Sequence, residues 1–555
     1  MDNWVKRRPA KTVEDVVRAN MDAGTLENLM SPRMEDPRRI HNLYEAAEII
    51  VFAIQNKTHI TIVGDYDSDG LNASAILVKL FRHYSVVPTV VIPRRKTDGY
   101  GLSQNIAEKI QAGLVVTIDN GIAAVEQIQS LKDKGCQVVV FDHHLPGDRL
   151  PPADVLVDPH VEPEKNGFLY YCGAGLGYQL VRLLLENDAS TAAKTLLDEC
   201  AIHAAIATIT DVMPLVGVNR RIVMDGLALY NDASMAAKCG AGLAALRTTA
   251  QTPVIDETAV GFRLGPIINA PARLYDGGGS SVLKALVCKD FVAASGYAKS
   301  MVEINETRKK LVQEAFNKAI QKIEAKQLLS RGNPLVITLG GIEEGVVGIL
   351  AGKLAEKYKR SAFVFTQPDP NSDIMKGSGR AYGADDLSLM LKAVAALTEN
   401  CGGHTGAAGV TIRMEHLTAF ADTLQGLGFA TEEGEQPLKY DLDIDPDAVA
   451  QTLAEQKKYA PFGEGNPKPI FRFRCVRAIR DGESHYRLIG ANASSVKFRC
   501  EGGFDVIGFG LAEKYRALKA PVSFDVLGTI GENYFNGQTT TQIEAIDIHE
   551  SSFPL

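Results

Sequence analysis

Apolar and polar positions along about the first 150 residues follow two patterns, and each predicts a different secondary structure. Short runs that are apolar almost throughout are typical of strands buried on both faces of a sheet. Such runs occur at residues 59–63, 89–92, 114–118 and 137–141. Longer stretches between them place apolar residues at helical spacing, at 45–55, 71–84 and 122–131. Strands that alternate with helices predict an α/β domain with a parallel sheet covered on both faces.

The pattern changes twice in the rest of the chain. Residues 291–329 predict one long charged helix, of the kind that connects two lobes. A second α/β pattern follows, with a strand at 335–339 and helical spacing at 346–358. Beyond residue 436, short runs predict strands that fit a small barrel such as an OB-fold. These strands are predicted at 470–476, 486–489, 496–500, 504–509, 523–530 and 542–548, with a hairpin turn at Asn536-Gly537.

These patterns predict several structural units, because 555 residues are too many for one hydrophobic core. The predicted fold class is α/β, with a parallel-sheet domain, a long connecting helix, a second α/β domain and a C-terminal β-barrel. The predicted division is an N-terminal extension at 1–43, the first domain at 44–290, the helix at 291–330, the second domain at 331–435 and the barrel at 436–555. The barrel lies beyond every residue assigned to chemistry below, so a chain that stops at Gln436 is expected to keep the functional site intact.

Composition excludes several classes of protein. Hydrophobic residues make up 45% and charged residues 23% of the chain, the balance of a soluble globular protein. No stretch of about 18 apolar residues predicts a membrane span. The N-terminus lacks the apolar core of a secretory signal, so a cytoplasmic location without a membrane partner is expected. The eight cysteines include no C-x-x-C pair, and neither a disulfide framework nor a zinc knuckle is predicted.

The net charge of −8 argues at first against a nucleic-acid partner. This argument loses its force if carboxylates gather around metal ions, because the DNA path of such an enzyme can still be basic locally. Arg94-Arg95-Lys96 is the densest basic run in the first half of the chain. The overall acidity therefore leaves nucleic acid among the candidate substrates.

Acidic residues and histidines directly follow three of the predicted strands. They are Asp65, Asp67 and Asp69 after the first strand, Asp119 after the third, and Asp142, His143 and His144 after the fourth. The carboxyl ends of parallel strands lie at one edge of a sheet, where ligands bind. Carboxylates so close together need cations, and oxygen ligands with one or two imidazoles suit Mn²⁺ or Mg²⁺. Two such ions about 3.5–4 Å apart can activate a water for phosphodiester cleavage.

Each acidic segment also has an ordinary explanation. The segment 65–70 begins like the calcium loop of an EF-hand, but it follows a strand and its twelfth position is Ile76 instead of glutamate. Asp119 taken alone is explained equally well as a helix cap, and the Asp-His-His segment taken alone as a solvated loop. The three segments together, each at the end of a parallel strand, favour a metal centre.

In these motifs the sequence resembles the DHH phosphoesterase superfamily. Its four motifs occur in order, as Asp65-Tyr66-Asp67-Ser68-Asp69-Gly70, Asp119-Asn120-Gly121, Asp142-His143-His144 and Thr210-Asp211-Val212. A closer resemblance, to the RecJ family, extends from about residue 44 to 550. It rests on Asp98-Gly99-Tyr100-Gly101-Leu102, Leu264-Gly265-Pro266 with Asn269 and Arg273, Gly345-Val346-Val347-Gly348-Ile349, Lys376-Gly377-Ser378-Gly379-Arg380, Gly402-Gly403-His404 and Phe462-Gly463-Glu464-Gly465-Asn466-Pro467.

The resemblance implies that the first domain is a DHH phosphoesterase domain, the second a DHH-associated domain and the barrel an OB-fold. It implies two Mn²⁺ or Mg²⁺ ions held by six ligands, which are Asp65, Asp67, Asp69, Asp119, His143 and Asp211. Asp119 would bridge both ions, while Asp142 and His144 would hold the ligands and the scissile phosphate and complete the catalytic set. An arginine fork binds two phosphate oxygens together. The residues implied to bind DNA phosphates are Arg95, Asn269, Arg273, Ser378, Arg380, Gly402, Gly403 and His404.

The implied activity is a single-stranded-DNA-specific 5′→3′ exonuclease that releases 5′ mononucleotides in DNA recombination and repair. The implied partners are single-stranded DNA, a single-strand-binding protein and a helicase, and the chain is expected to be a monomer. Pro271, Ala381 and Thr405-Gly406 depart from the family pattern without removing a ligand. Tyr66 or Tyr100 is a candidate for stacking on bases, although a packed tyrosine explains either residue equally well.

Two other functions remain open from the sequence. One is a related enzyme for smaller substrates, short oligoribonucleotides or cyclic dinucleotides, which the C-terminal barrel disfavours. The other is an inactive DNA-binding relative, like the replication-helicase component that shares this fold, which the six intact ligand positions disfavour.

Overall fold

The strands of the computed structural model form two five-stranded sheets, one seven-stranded sheet and one two-stranded sheet. The structure describes residues 3–21, 25–232, 234, 240–249, 251, 253–428, 437–482, 484–490, 493–519, 521–535 and 537–551. The predicted turn residue Asn536 and the predicted domain boundary at Gln436 lie outside the described residues. In the described part of the chain, no helix is both long enough and apolar enough to cross a membrane.

The N-terminal segment has a short strand and two helices, which are β1 (Trp4–Lys6), α1 (Val13–Ala19) and α2 (Thr25–Met30). A capping box starts α1: Asp15 N donates to the Thr12 side chain, and Thr12 N donates to the Asp15 side chain. Three valines of α1, Val13, Val16 and Val17, are buried. The apolar face of this short helix therefore packs against another part of the chain.

The first domain contains a parallel sheet of five strands. Its elements in chain order are α3 (Leu43–Gln55), β2 (Ile60–Val63), α4 (Ser68–His83), β3 (Thr89–Val91), α5 (Gln104–Lys109), β4 (Leu114–Ile118), α6 (Val125–Asp133), β5 (Gln137–Phe141) and β6 (Val155–Val157). The strand order is β3-β2-β4-β5-β6, and all neighbours are parallel. The predicted α/β class is confirmed, and β2 and β4 are buried throughout, as their apolar sequences predict.

A group of helices follows this sheet. They are α7 (Gly173–Leu184), α8 (Thr191–Thr210), α9 (Gly217–Asn231), α10 (Ala241–Thr249), α11 (Glu257–Ala259), α12 (Gly265–Leu274) and α13 (Gly278–Leu286). They enclose α4, which packs against α7, α8 and α13 and is buried from Ser68 to Val78. Small residues such as Ala73 and Ala75 allow these helices to approach closely. The N-terminus of α4, and the acidic segment that leads into it, is therefore held at the centre of the domain.

The long charged pattern forms α14 (Phe291–Ala325), a single helix of 35 residues. Ala294 and Ala298 in its first half pack against Ala245 of α10. Ala315 and Ile323 in its second half belong to the core of the following domain. The helix thus contacts both domains, as a connecting helix is expected to do.

The second domain is a mixed sheet with helices. Its elements are β7 (Leu335–Thr338), α15 (Glu344–Tyr358), β8 (Ala362–Thr366), β9 (Ile374–Arg380), α16 (Leu387–Val394), β10 (Asn400–Gly403), β11 (Ala407–Arg413) and α17 (Leu417–Gly426). The order is β10-β11-β9-β8-β7, and of these pairs only β7 and β8 are parallel. The predicted helical spacing is confirmed, since Val346, Leu350 and Leu354 all face the interior of the protein.

The C-terminal domain forms the seven-stranded sheet. Its elements, which begin with a strand outside this sheet, are β12 (Leu438–Tyr440), β13 (Leu442–Ile444), α18 (Val449–Lys457), β14 (Phe471–Arg477), β15 (Arg487–Ile489), β16 (Ser495–Arg499), β17 (Asp505–Gly508), α19 (Ala512–Ala517), β18 (Ser523–Phe535) and β19 (Gln538–Glu550). The order is β13-β14-β18-β19-β17-β16-β15. Every one of the six predicted strands is present in this domain.

The N-terminal segment packs into the C-terminal domain instead of extending from the first. β1 pairs in parallel with β12, and the buried valines of α1 share one core with Phe471, Phe473 and Val526 of the barrel. The expectation that a chain ending at Gln436 keeps an intact site stays a prediction, but such a chain would also lose the packing partner of its N-terminal segment. Removing the barrel would expose the apolar side of the N-terminal segment, because the segment and the barrel form one hydrophobic core.

Candidate functional site

Three loops at the carboxyl edge of the first sheet and the end of one helix meet at a single cluster, the acidic cluster. It consists of Asp65, Asp67, Asp69, Asp119, His143 and Asp211. His143 Nε2 lies 3.1 Å from Asp119 Oδ1. The same nitrogen lies 3.7 Å from Asp69 Oδ2 and 3.7 Å from Asp211 Oδ2. The histidine after β5 therefore touches side chains from three other segments.

Local backbone features create this arrangement. Asp67 caps α4 by accepting from Gly70 N at 3.1 Å, and this cap keeps Asp69 in the first turn of the helix, inside the cluster. A Cβ at Gly70 would lie 2.6 Å from Asp65 N, so a glycine is required for the helix to start this close to the strand end. Asp119 has a φ of +62°, a left-handed conformation that is uncommon outside glycine and is concentrated at functional sites.

The N-terminus of α7 holds the Asp69 carboxylate. Gly173 N donates to Asp69 Oδ2 at 2.6 Å, and Ala174 N donates to Asp69 Oδ1 at 2.8 Å. A helix N-terminus suits this task because its first amides have no partner within the helix. A Cβ at Gly173 would lie only 2.6 Å from Asp119 Cβ. Sequence reasoning missed this contribution, because nothing local to residues 172–174 indicates an anion about 100 positions earlier in the chain.

Burial and mutual repulsion disfavour the ionised form of four carboxylates in the acidic cluster. The pKa values of Asp65, Asp119 and Asp211 lie well above the usual range, first because of burial and second because a neighbouring aspartate carries like charge. The pKa of Asp67 is raised for the same two reasons. Among the described residues, Asp65 Oδ1 and Asp211 Oδ2 are buried without a hydrogen-bond partner. Divalent cations would neutralise this charge and coordinate these oxygens.

The side chains fall into three overlapping groups whose ligand atoms lie within 4.8 Å of one another. These groups are Asp65, Asp67 and Asp119; Asp69, His143 and Asp211; and Asp119, His143 and His144. Asp119 and His143 each belong to two groups and so connect them. Carboxylate oxygens with an imidazole are the donors that Mn²⁺ and Mg²⁺ accept. The structure thus brings all six predicted ligands together, and their donor set fits two such cations.

Asp142 and His144 support the loop that carries His143. Asp142 Oδ2 accepts from Ile122 N at 2.9 Å, and its Oδ1 accepts from His143 N at 2.8 Å. The same Oδ1 lies 2.7 Å from His144 Nδ1. Burial alone would raise the pKa of Asp142, but the hydrogen bond with His144 brings it below its usual value. Desolvation alone would lower the pKa of His144, but the same bond raises it to about 9. Asp142 therefore acts by holding its own loop.

One acidic residue at this edge was not predicted. Asp158 follows β6 and is only 4% exposed, and its Oδ1 accepts from His160 N at 2.8 Å. Burial, partly offset by that bond, raises the pKa of Asp158 to about 7. The signal was available, since Asp158 follows an apolar strand as Asp119 does. It was overlooked because the strand is only three residues long.

The second domain brings together four residues predicted to bind phosphate, which we call the phosphate-binding face after that prediction: Ser378, Arg380, Gly402 and Gly403. Ser378 lies in one row with Gly409 and Gly402 across β9, β11 and β10. Arg380 Nη1 donates to Ser378 Oγ at 2.9 Å. Gly402 is exposed, and its lack of a side chain leaves the backbone open to a phosphate. The sheet register thus brings together two sequence motifs that are separated by more than twenty residues.

Arg273, near the end of α12, lies between this face and the acidic cluster. Its Nη1 donates to Gly345 O of α15 at 3.2 Å. The pKa of Arg273 is lowered to about 10, mainly by burial and next by the like charge of Arg95. The charge of Arg380 lowers this pKa further, whereas the carboxylate of Asp67 raises it. The like charges of Arg95 and Arg380 near the Arg273 guanidinium favour an anion at this place.

The other residues predicted to bind DNA make fewer contacts with the acidic cluster and the phosphate-binding face. Arg95 stacks over Tyr66 with its Cζ 4.1 Å from the ring centre. Within the described residues, Arg95 Nε and Asn269 Oδ1 are buried without a hydrogen-bond partner. His404 is exposed after β10, where its Nδ1 accepts from Gly406 N at 3.2 Å. In the part of the chain described, no hydrogen bond joins Asn269 or His404 to the acidic cluster.

Three domain-family models match the chain. The model for the DHH family, N-terminal domain, matches residues 59–208. The DHHA1 domain model matches residues 332–427, and the RecJ OB domain model matches residues 440–547. These matches confirm the predicted DHH, DHH-associated and OB-fold domains in the predicted order.

Curated relatives and solved structures agree with these matches. The single-stranded-DNA-specific exonuclease RecJ of Haemophilus influenzae is 30% identical over 489 residues, covering 82% of this chain and 82% of that protein. The RecJ of Bacillus subtilis is 29% identical and covers 94% of this chain, which spans 65% of that longer protein. The crystal structure of Thermus thermophilus RecJ with Mn²⁺ superposes with a TM-score of 0.77 at 26% identity, covering 95% of this chain and 74% of that one. With the DHH, DHHA1 and RecJ OB domain models matched along its length, and 30% identity over 82% of the Haemophilus influenzae protein, this chain belongs to the RecJ family.

Proposed function

We propose that this protein is a metal-dependent exonuclease that degrades single-stranded DNA from the 5′ end and releases 5′ mononucleotides. The observation that carries the proposal is the place of Arg273, between the acidic cluster of one domain and the phosphate-binding face of the next. α15 packs against both Arg273 and this face, since a Cβ at Gly345 would clash with Arg273 O and one at Gly348 would lie 3.0 Å from Ser378 Oγ. A strand between the domains could bind its terminal phosphate at the face and its next phosphodiester at the cluster.

The relatives support the substrate and the metals. The RecJ proteins of Haemophilus influenzae and Bacillus subtilis are named single-stranded-DNA-specific exonucleases. Thermus thermophilus RecJ has been crystallised in complex with Mn²⁺ and with Mg²⁺. We therefore assign Mn²⁺ or Mg²⁺, as two ions, to the acidic cluster of this chain.

The residues of the chain have separate tasks in this reaction. Asp65 and Asp67 would hold one cation, Asp69, His143 and Asp211 would hold the other, and Asp119 would contribute to both. Bound there, Mn²⁺ or Mg²⁺ makes a water more acidic and stabilises the departing oxygen. The amides of Gly173 and Ala174 orient Asp69, and Asp142 orients the loop of His143. Arg273 and Arg380 neutralise phosphate oxygens and fix the strand in register with the cluster.

The cellular role follows the family. We propose a role in DNA recombination and repair in the cytoplasm, as a monomer, with a single-strand-binding protein and a helicase as partners. The domain boundaries predicted from the sequence are part of the same proposal, with the N-terminal extension packed against the barrel. Asn269, Arg95 and His404 are assigned to DNA phosphates because they match the family's motifs.

Two rival functions make different predictions for one experiment. The protein is incubated with Mn²⁺ and single strands labelled at the 5′ or the 3′ end, and products are resolved by length. A 5′→3′ exonuclease releases a labelled mononucleotide first from the 5′-labelled strand, and EDTA stops the release. Early mononucleotide from the 3′-labelled strand would reverse the polarity. Cleavage limited to short oligoribonucleotides or cyclic dinucleotides would favour the small-substrate enzyme, and binding without cleavage the inactive relative.

Gly173→Ala should lower kcat on single-stranded DNA by about 10–100-fold, because an added methyl must displace Asp119 or the amides that hold Asp69. Steady-state rates at saturating Mn²⁺ and DNA measure the effect. The matched control is Gly296→Ala in α14, where an added Cβ meets nothing within 4 Å. If both variants kept wild-type kcat, the close approach at Gly173 would have no part in catalysis.

Arg380→Ala should weaken capture of the 5′ end by about 1.5–3 kcal/mol, the range for a charged hydrogen bond. kcat/KM should fall more for a 5′-phosphorylated strand than for a 5′-hydroxyl strand, since only the former offers the terminal phosphate. Arg413→Ala is the control, because Arg413 lies in the same domain but is partly exposed and paired with Asp373 and Glu399. Equal losses on both substrates would remove Arg380 from the terminal-phosphate site.

A further inference from the structure

The segment Asp98-Gly99-Tyr100-Gly101-Leu102, which the proposed function has not used, folds over the loop that carries Asp119. Leu102 N donates to Asn120 Oδ1 at 3.1 Å. Asn120 in turn donates to Val63 O at 3.1 Å and to Ile118 O at 2.9 Å. The glycines on either side of Tyr100 have φ values of +85° and +58°, which side chains rarely adopt. The backbone on both sides therefore fixes where Tyr100 is presented.

The hydroxyl of Tyr100 contacts two parts of the metal-binding region at once. It lies 3.3 Å from the backbone oxygen of Asp119 and 3.2 Å from His144 Nε2. Its ring meets the His144 ring edge-to-face, with the centres 5.9 Å apart. On its other side it meets Tyr66 edge-to-face at 6.3 Å, and Tyr66 lies under Arg95. Tyr100 thus links the loop of His144 to the loop of Asp119.

The hydrogen-bond donors and acceptors have one consistent assignment. The backbone oxygen of Asp119 only accepts, so the Tyr100 hydroxyl donates its proton there. The hydroxyl oxygen is then free to accept from His144 Nε2. The opposite ring nitrogen, Nδ1, faces the Asp142 carboxylate at 2.7 Å. Both nitrogens of His144 are therefore held, and its ring cannot rotate without breaking one of the two contacts.

We propose that Tyr100 is a positioning residue, which orients His144 and the backbone of Asp119 for phosphodiester cleavage through its hydroxyl group. This inference rests on the proposed nuclease function and adds a residue to its machinery. The contacts of Tyr100 with the Asp119 loop and His144 are made through its hydroxyl group, while its ring remains about half exposed. The hydroxyl oxygen performs this role, whereas base stacking would depend on the ring.

Tyr100→Phe removes only the oxygen and keeps the ring contacts, so folding should be preserved. We expect kcat on single-stranded DNA to fall about 10–100-fold, as for the loss of a group that orients a metal-site residue. KM should stay within about twofold, because no contact with DNA is lost. The matched control is Tyr44→Phe, a tyrosine of similar exposure on α3, an element that contributes no residue to the site. It should keep wild-type kcat.

A double mutant tests whether Tyr100 acts through its neighbour. In a His144→Ala background, Tyr100→Phe should lower kcat further by less than about threefold, since residues that act as a unit are not additive. A second readout needs neither metal nor substrate. In protein with isotopically labelled histidine and no metal, Tyr100→Phe should shift the His144 ring resonances, whereas Tyr44→Phe should leave them unchanged.

Several outcomes would overturn this role. One is a Tyr100→Phe enzyme with wild-type kcat and unmoved His144 resonances. A second is a full, multiplicative loss in the His144→Ala background, which would make Tyr100 independent of His144. A third is a neutral Tyr100→Phe combined with a raised KM for Tyr100→Ala, which would make the ring a base platform after all. Wild-type protein that releases no mononucleotide would instead overturn the proposed function.

Discussion

Replacing Asp119 by asparagine should abolish DNA cleavage, by about 10³-fold or more, and yet make the metal-free protein more stable. Asp119 lies 3.1 Å from His143 and belongs to two of the three ligand groups, so its loss affects both cations. Several kcal/mol of charge stabilisation depend on them, and each 1.36 kcal/mol is about tenfold in rate. Asparagine is the suitable replacement because it tolerates a φ of +62° better than alanine does.

The gain in stability follows from the pKa of Asp119, which lies well above its usual value. Burial is the main cause, and the like charges of Asp69 and other aspartates add to it. A carboxyl whose pKa rises on folding loses stability as the pH passes upward from the unfolded to the folded value. At neutral pH the wild-type protein therefore carries this cost until cations bind. The amide introduced by Asp119→Asn carries no charge, so the metal-free variant should melt at a higher temperature than metal-free wild type.

Two measurements check this pair of effects. Nuclease assays at saturating Mn²⁺ give kcat, and thermal melts with EDTA or Mn²⁺ give the melting temperature. Mn²⁺ should raise the melting temperature of wild type, because it binds the folded state, and should raise that of Asp119→Asn much less. Asp148→Asn, at an exposed position of the same domain, is the control and should match wild type in every assay. Activity of Asp119→Asn within tenfold of wild type would rule out the shared-ligand role.

The second large effect concerns stability and Arg220 of α9. Its guanidinium is buried and donates to four backbone oxygens, those of Leu29, Tyr459, Ala460 and Pro461. It thereby ties the first domain to the N-terminal segment and to the chain leading into the barrel. Arg220→Met should lower stability by about 3–5 kcal/mol, since the oxygens of Leu29 and Ala460 lose this donor, although those of Tyr459 and Pro461 still accept from Asn466. Arg220→Lys should recover only part of this, because one ammonium lacks the planar fork.

The neighbouring residue provides an unusually close control. Arg221 is exposed and pairs with Asp225 one helical turn away at 2.7 Å, so Arg221→Met should change stability by about 0.5 kcal/mol or less. Urea midpoints of the purified full-length variants measure the difference. Proteolysis near the N-terminus should become faster for Arg220→Met, because α1 and α2 lose part of their anchorage. Equal midpoints for the two methionine variants would show that the buried guanidinium does not stabilise this junction.

Much of the first domain could be predicted from local sequence. The strands at 114–118 and 137–141 have the predicted bounds, because continuous apolar runs are required wherever both faces of a strand are covered. The helix predicted from residue 71 begins at Ser68, since Asp67 of the acidic segment also serves as its cap. Asp65, Asp119 and His143 could be placed at one edge because parallel strands end there.

The other parts of the site had no local signal. Asp211 follows the helix α8, so only its resemblance to a family motif indicated a ligand. The amides of Gly173 and Ala174 reach Asp69 from about 100 residues further along the chain. The hydroxyl of Tyr100 reaches His144 from 44 residues away. Which of these groups meet depends on how whole helices and loops pack, and no periodicity in the sequence reports on that.

By itself, the sequence determined the class of each element, the edge at which the carboxylates gather and the chemistry that they suit. These properties follow from hydrophobic period, strand direction and ligand type, which are local. Only the tertiary structure decided that the N-terminal segment shares the core of the barrel and that Arg220, not Arg221, is buried. The reason is physical. An apolar face must be buried against some partner, but only the packing of the folded chain decides which distant segment supplies that partner.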